Sequence, residues 1–324
     1  MSIFDDAIRP YWLPGLNAIS GKTTYRFTNW ISQKEFQIYH KPEKESFLLN
    51  IADSSPLLSA FAFDFNRMTN ASLESLHGIR KNPELPKSIG WMIIKIYYAA
   101  FYAAHAMLRM FGTSLTQLGY EETSSINDIG DLYGFTYADR IEKGFYECTF
   151  DANAKTLSGK KLNLTGGGTH EILWKIFHDT LIDMSNKVLV GPGLSTHKQL
   201  VSSILSDICQ NLSCGPCGAN RNWLSFIRNK ITYKHEFSVW FPYTNYSKNH
   251  KRLHDIISLW KSDPVEIRFY KQTGRELQRF VETCCAIVAI LKTMTVDMSK
   301  RCPKGRSFLT FGPISFLNQT KIAD

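Results

Sequence analysis

Three side chains in the stretch 221–237, RNWLSFIRNKITYKHEF, have the types and spacing for acid–base chemistry on an anion: Arg228, Asn229 and His235. Arg228 and His235 are seven positions apart, which leaves them about 20° apart around a helix axis. A guanidinium grips phosphate through charge-assisted hydrogen bonds. An imidazole, with an ordinary pKa of about 6.5, takes up or releases a proton at neutral pH. Together they supply the minimum for cutting RNA without a metal. The helix is expected to run on towards Trp240, Phe241 and Pro242, with Arg228, Thr232 and His235 on one stripe and Phe226, Lys230, Tyr233 and Phe237 to one side. The plainer reading is a solvated arginine and a histidine capping a helix end. Seven positions span about 10 Å along the axis, so one phosphate is more easily held by Arg228 of one chain and His235 of a two-fold mate.

Other elements must position this helix. Pro86 opens a helix over Lys87–Phe111, closed by Gly112, that is apolar on nearly every face and therefore central. Its alanines at 99, 100, 103, 104 and 106 admit a neighbouring backbone, and Tyr97, Tyr98, Phe101 and Tyr102 fill the remaining volume. Helices are also expected over Thr169–Val190, Ser195–Leu212, Ser247–Lys261 and Gly274–Lys300, punctuated by Gly191–Pro192–Gly193 and Asp263–Pro264. Residues 1–65 read as irregular up to a helical piece at Leu57–Phe65, with Thr23–Trp30 and Phe36–His40 as short strands or extended arms. A further helix is expected at Ser72–Lys81, and a polar connection with room for one helical turn at Thr113–Gly134. Residues 135–164 alternate like a hairpin interrupted at Ser158–Gly159. The expected fold is mainly α: a helical bundle over 86–300 with a small β-hairpin insertion near 135–165, an irregular, aromatic-rich N-terminal extension over 1–85, and a tail over 301–324.

Arg228, Asn229 and His235, with six residues between arginine and histidine, resemble the Arg–polar–spacer–His motif of the HEPN superfamily. The run Tyr97–Tyr98–Ala99–Ala100–Phe101–Tyr102–Ala103–Ala104 is similar to the first-helix signature of many such domains. The resemblance spans roughly 86–300, departs at the β insertion and does not reach residues 1–80. It implies a HEPN-like helical bundle and metal-independent endoribonuclease activity, leaving a 2′,3′-cyclic phosphate and a 5′-OH. By the same resemblance His235 handles the proton, Arg228 steadies the phosphorane and Asn229 orients the phosphate. It also implies a homodimer with a composite site, and a prokaryotic toxin or anti-phage defence setting with an antitoxin or defence-system partner protein. One subgroup carries a tyrosine two residues after the histidine, where this chain has Phe237. A non-catalytic RNA- or nucleotide-binding module, or a regulatory interaction module, is the alternative within the same fold.

Composition fits an anionic partner. The 324 residues carry a formal charge of +9 with a pI of about 9.1, and the hydrophobic share of 44% is that of an ordinary globular chain. Lys230, Lys234, Lys251 and Arg252 are the cations expected to meet an RNA backbone. Seven cysteines, an odd number, and an N-terminus without a signal pattern favour a reducing cytoplasm with free thiols. No stretch reads as a membrane span. Cys214-Gly-Pro-Cys217 matches a redox motif but follows a helix rather than a strand, so a tight loop with two free thiols is the simpler reading. Cys209 brings no fourth zinc ligand at a standard spacing. His250 and His254 share a helix face, yet Lys248, Lys251 and Arg252 would repel a cation. Gly166–Gly168 lacks the Gly-Lys-Ser/Thr ending of a P-loop and reads as a lead-in to a helix on which His170 and His178 are partly packed. His105, among alanines, reads as a hydrogen-bonded core histidine. No metal and no cofactor are expected.

Overall fold

One helix, Gly90–Met110 (α4), runs through the centre of the computed structural model, which describes residues 2–79, 89–135, 140–164, 168–215, 220–242, 253, 255–269 and 276–320. Ala99, Ala100, Ala103 and Ala104 of α4 are wholly buried. They let Ser55–His77 (α3) lie close enough for the Ser72 hydroxyl to donate to the Ala99 carbonyl at 2.8 Å. Glu276–Lys300 (α9) packs on α4 as well, and Thr169–Val190 (α6) and Trp223–Lys234 (α8) close its remaining sides. Ser195–Leu212 (α7) is the antiparallel mate of α6. Gly112, with φ at +85°, ends α4 in a left-handed turn that suits glycine. The mainly helical character expected from the sequence is therefore present, and no helix among the described residues is long and apolar enough to cross a membrane.

A four-stranded antiparallel sheet sits at the end of α4, in the order Ser46–Asn50 (β1), Thr156–Lys161 (β4), Gly144–Asp151 (β3), Thr113–Leu118 (β2). The expected hairpin corresponds to β3 and β4, but its turn is 152–155, and Ser158 and Gly159 lie inside β4. Gly159 is there for space rather than for turning: a Cβ at that position would overlap the Phe47 ring of β1. The stretch 113–134, expected as a connection, forms β2 and the helix Tyr120–Leu132 (α5). The Glu122 carboxylate satisfies the Gly119 N–H at 2.7 Å and so starts that helix.

The N-terminal part is more regular than expected. Ile3–Ile8 (α1) and Phe27–Ser32 (α2) are helical, so Thr23–Trp30 is no strand, and Phe36–His40 contributes only a bridge from Gln37 to Asn50. The two helical pieces expected around residues 57–81 are one helix, α3, because Thr69 and Ser72 return their hydroxyls to backbone carbonyls instead of breaking it. Phe4, Phe27, Trp30 and Leu49 are buried in the same core as α4. In the tail, Pro313–Gln319 (α10) packs back on α3. The expected start of α4 at Lys87 falls outside the described residues, as do 247–252 and 254 of the expected helix Ser247–Lys261, whose last turn, Ser258–Lys261, is a 3-10 helix.

Asp5 of α1 is 4% exposed, and its Oδ1 has no hydrogen-bond partner. Burial, reinforced by the nearby Asp297 carboxylate, raises its pKa to about 7. In the unfolded chain the group titrates near 3.8, so the stability it confers is present at low pH and is lost as pH rises through about 7. Asp5→Asn should therefore stabilise the fold at pH 8, by on the order of 3 kcal/mol, and change little at pH 4. Thermal unfolding at the two pH values checks this.

Candidate active site

Helix α8 presents Trp223, Leu224, Ser225, Ile227 and Ile231 to the core, which leaves Arg228 half-buried at its edge. The Arg228 guanidinium carbon lies 5.4 Å from the Tyr97 ring centre and 5.9 Å from that of Tyr233. Nη1 donates to the Asn229 Oδ1 at 2.8 Å and reaches the Tyr233 hydroxyl at 3.5 Å. Among the described residues no carboxylate pairs with Arg228, and its Nε, like the Thr232 hydroxyl one turn on, is buried without a partner. The side chain is held in place by ring faces and an amide, which leave its charge uncompensated.

The expected helical stripe from Arg228 to His235 does not form. Helix α8 stops at Lys234, and His235 takes a left-handed conformation, φ 54° and ψ 30°, with its N–H closing on the Lys230 carbonyl. Phe237 and Ser238 follow with positive φ. Histidine tolerates this region better than most residues, whereas a bulky phenylalanine there is strained. His235 is exposed, and its ring leans on Trp240 at 5.9 Å, which in turn meets the exposed Trp91 edge-on at 5.6 Å. Gly90 makes room for this stack, since a Cβ there would come within 2.7 Å of the Trp240 ring.

A second histidine, His170, shares the arginine's surroundings. It occupies the first turn of α6, and its Nδ1 lies 2.9 Å from the Tyr97 hydroxyl. Trp174 Nε1, which can only donate, gives its proton to that same hydroxyl at 3.1 Å. The hydroxyl keeps a proton to give and a second lone pair, and Ser225 is also within its reach, so either His170 tautomer completes this contact. Tyr97 is wholly buried, and burial raises its hydroxyl to about 12 against the Trp174 hydrogen bond and the Arg228 charge. Burial, then the Arg228 charge, lowers His170 to about 4, so its imidazole is neutral at pH 7. The Phe101 ring lies tilted against it, 4.3 Å between centres. In the sequence His170 reads only as a partly packed residue; its place just after glycines and four before Trp174 was the available signal.

The remaining expectations divide. Lys234 is exposed at the end of α8, whereas Lys230 is engaged by Glu236 at 3.0 Å and Glu276 at 3.8 Å. Lys251, Arg252, His250, His254, Cys217, Gly166 and Gly167 lie outside the described residues. Cys214 is a free thiol that meets the Gln210 carbonyl. His105 is a core histidine as expected, with Arg109 Nη1 at 3.4 Å from its ring and 2.9 Å from its carbonyl. Burial, then Arg109, His170 and Arg67, lowers its pKa. His178 is held between Asp179 and Ser213. No metal-binding cluster occurs among the described residues. Comparison with known proteins found no matching family model, no similar curated protein and no similar solved structure.

Titration of the histidine ring protons by NMR should place His170 near pH 4. Arg228→Ala should move it up only part of the way, because burial is the larger cause. Tyr97→Phe should leave Trp174 Nε1 without an acceptor and cost about 1–3 kcal/mol in chemical denaturation.

Proposed function

We propose that the chain is a metal-independent endoribonuclease of HEPN type, with Arg228, Asn229 and His235 as its working residues. The observation that carries this reading is Arg228: a half-buried cation, positioned by Asn229 and two tyrosine faces, with no carboxylate partner among the described residues. In the reaction the ribose 2′-oxygen forms a bond to the adjacent phosphorus as its proton passes to a base, and the P–O5′ bond breaks as that oxygen gains a proton. Arg228 stabilises the charge that builds on the phosphorane oxygens, and Asn229 orients the guanidinium. His235 serves the proton transfers. Its exposed position on the left-handed cap, off the Arg228 stripe, favours a composite site in which His235 of one copy faces Arg228 of a second. On this reading the partner is RNA, the protein works in the cytoplasm as a homodimer, and its setting is a prokaryotic toxin or anti-phage defence system with a possible antitoxin or defence partner.

The alternative is a module that binds RNA or nucleotides without cutting. The neutral His170 beside Arg228 favours it, since an imidazole that stays neutral at pH 7 can hydrogen-bond a ligand but does not cycle its proton there. Purified protein incubated with total RNA in EDTA distinguishes the two. Cleavage that leaves cyclic phosphate ends, reduced at least about a hundredfold in Arg228→Ala and in His235→Gly, is the expected result. Glycine is the right replacement at 235 because it removes the imidazole while relieving the positive φ, so lost activity with an unchanged or raised melting temperature reports chemistry. RNA binding without cleavage in the unaltered protein would instead support the binding module.

A further inference from the structure

Helix α4 is buried along its length except for one stripe: Trp91, Lys95, Tyr98, Phe101 and Tyr102. The spacing of Trp91, Lys95, Tyr98 and Tyr102 follows one helix face for about 16 Å, the length of about five stacked nucleotides. Trp91 is 66% exposed. At one end the stripe reaches His235 through Trp240, and at the other Phe101 and Tyr98 lie against His170, 4.3 Å and 5.9 Å between ring centres. Arg228 stands between these ends over Tyr97, with Tyr233, 73% exposed, on its far side. Lys95 and Lys234 are exposed and, among the described residues, make no ion pair.

We propose that this stripe is a stacking track for unpaired RNA, in which bases lie on Trp91, Tyr98 and Tyr102 while Arg228 and the His170 Nε2–H meet one phosphate. The inference rests on the reading of the chain as an RNA-acting protein and names the form of RNA it takes. Aromatic faces interleaved with uncompensated cations fit a single strand, because every base has a face to stack and every linkage a charge. A duplex buries its base faces and offers nothing to the rings. A protein partner fits less well. A cluster of exposed aliphatic side chains that would suit one, Leu189, Val190 and Leu194, lies at the α6–α7 corner, at the far end of α6 from His170. The His170 tautomer that carries its proton on Nε2 makes both groups at the phosphate position donors.

The test uses the full chain and a fluorescein-labelled single-stranded DNA 12-mer, which lacks the 2′-OH and cannot be cut by the proposed chemistry. Anisotropy at low salt should show binding that weakens as salt rises, with a duplex of the same length binding at least about tenfold more weakly. Trp91→Ala and Tyr98→Ala should each weaken binding roughly tenfold while the melting temperature stays close to that of the unaltered protein. Arg228→Ala should lower the salt dependence as well as the affinity. Equal affinity for duplex and single strand, or unaltered binding in the Trp91 and Tyr98 variants, overturns the proposal even if RNA cleavage is intact. If Trp91→Ala converts a dimer to a monomer without changing affinity, the stripe belongs to a second copy of the chain and the proposal fails. Single-strand binding through these residues with no RNA cleavage sinks the nuclease reading and leaves the track standing.

Discussion

The buried hydroxyl of Tyr97 is the constraint around which the site is arranged. A hydroxyl sealed from water costs about 1–3 kcal/mol if it finds no partner, so the chain must bring one to it. Trp174 and His170 do so from α6, and Phe280 of α9 stacks parallel to the ring at 6.4 Å. The face of the same ring supports Arg228 from α8. One side chain of the central helix thus fixes where three other helices place their functional groups. The alanines that bring α3 close to α4 fix the position of Tyr97 in turn. A site hung on packed helices holds its geometry more tightly than one carried by loops.

The two histidines near Arg228 are held in opposite ways. His170 is half-buried, tilted against Phe101 and held by a hydrogen bond with the Tyr97 hydroxyl. His235 is exposed on a left-handed cap, with the Trp240 ring beside it. A fixed, neutral imidazole is suited to donating a hydrogen bond of constant direction. An exposed imidazole retains freedom of orientation and an accessible face, which a second copy of the chain or a substrate can meet. The strained residues after His235 keep it from rejoining the helix and so preserve that exposure.

Much of the helical frame was legible because it depends on local signals. The apolar run of α4, the glycine after it, and the glycine–proline break between α6 and α7 each mark an element without reference to the rest of the chain. What was not legible depends on distant partners. Thr69 and Ser72 look like helix breakers until their hydroxyls are seen returned to carbonyls, one of them on α4. β2 has only two apolar residues and is a strand because β3 lies beside it. Gly159 reads as a turn, yet it is required by a ring from β1, far away in sequence. At the site, Arg228 and Asn229 were visible as residue types, but the period of the helix misled about His235. A single backbone conformation, carried by a residue that can adopt it, ended the helix one position earlier. The relation of His170 to Arg228 was hidden in the sequence, because it passes through Tyr97 on another helix.

The contrast among this chain's own arginines bears on what Arg228 is for. Arg109 is buried to 2% exposure and lies 3.7 Å from the Asp64 carboxylate, while its Nη atoms are taken up by backbone carbonyls. Arg9 and Arg301 both bond to Asp297, and Arg67 to Asp64. Each of these arginines has a carboxylate beside it and ties elements or turns together. Arg228 and, on α9, Arg279 are arranged differently: each lies against tryptophan or tyrosine faces and, among the described residues, pairs with no carboxylate. Ring faces attract a cation by about 0.5–2 kcal/mol without neutralising it. A carboxylate in the same place would hold the guanidinium more strongly but would also occupy the fork that a phosphate needs. Arg228 thus keeps a guanidinium edge that no carboxylate among the described residues occupies, unlike the arginines that tie elements together.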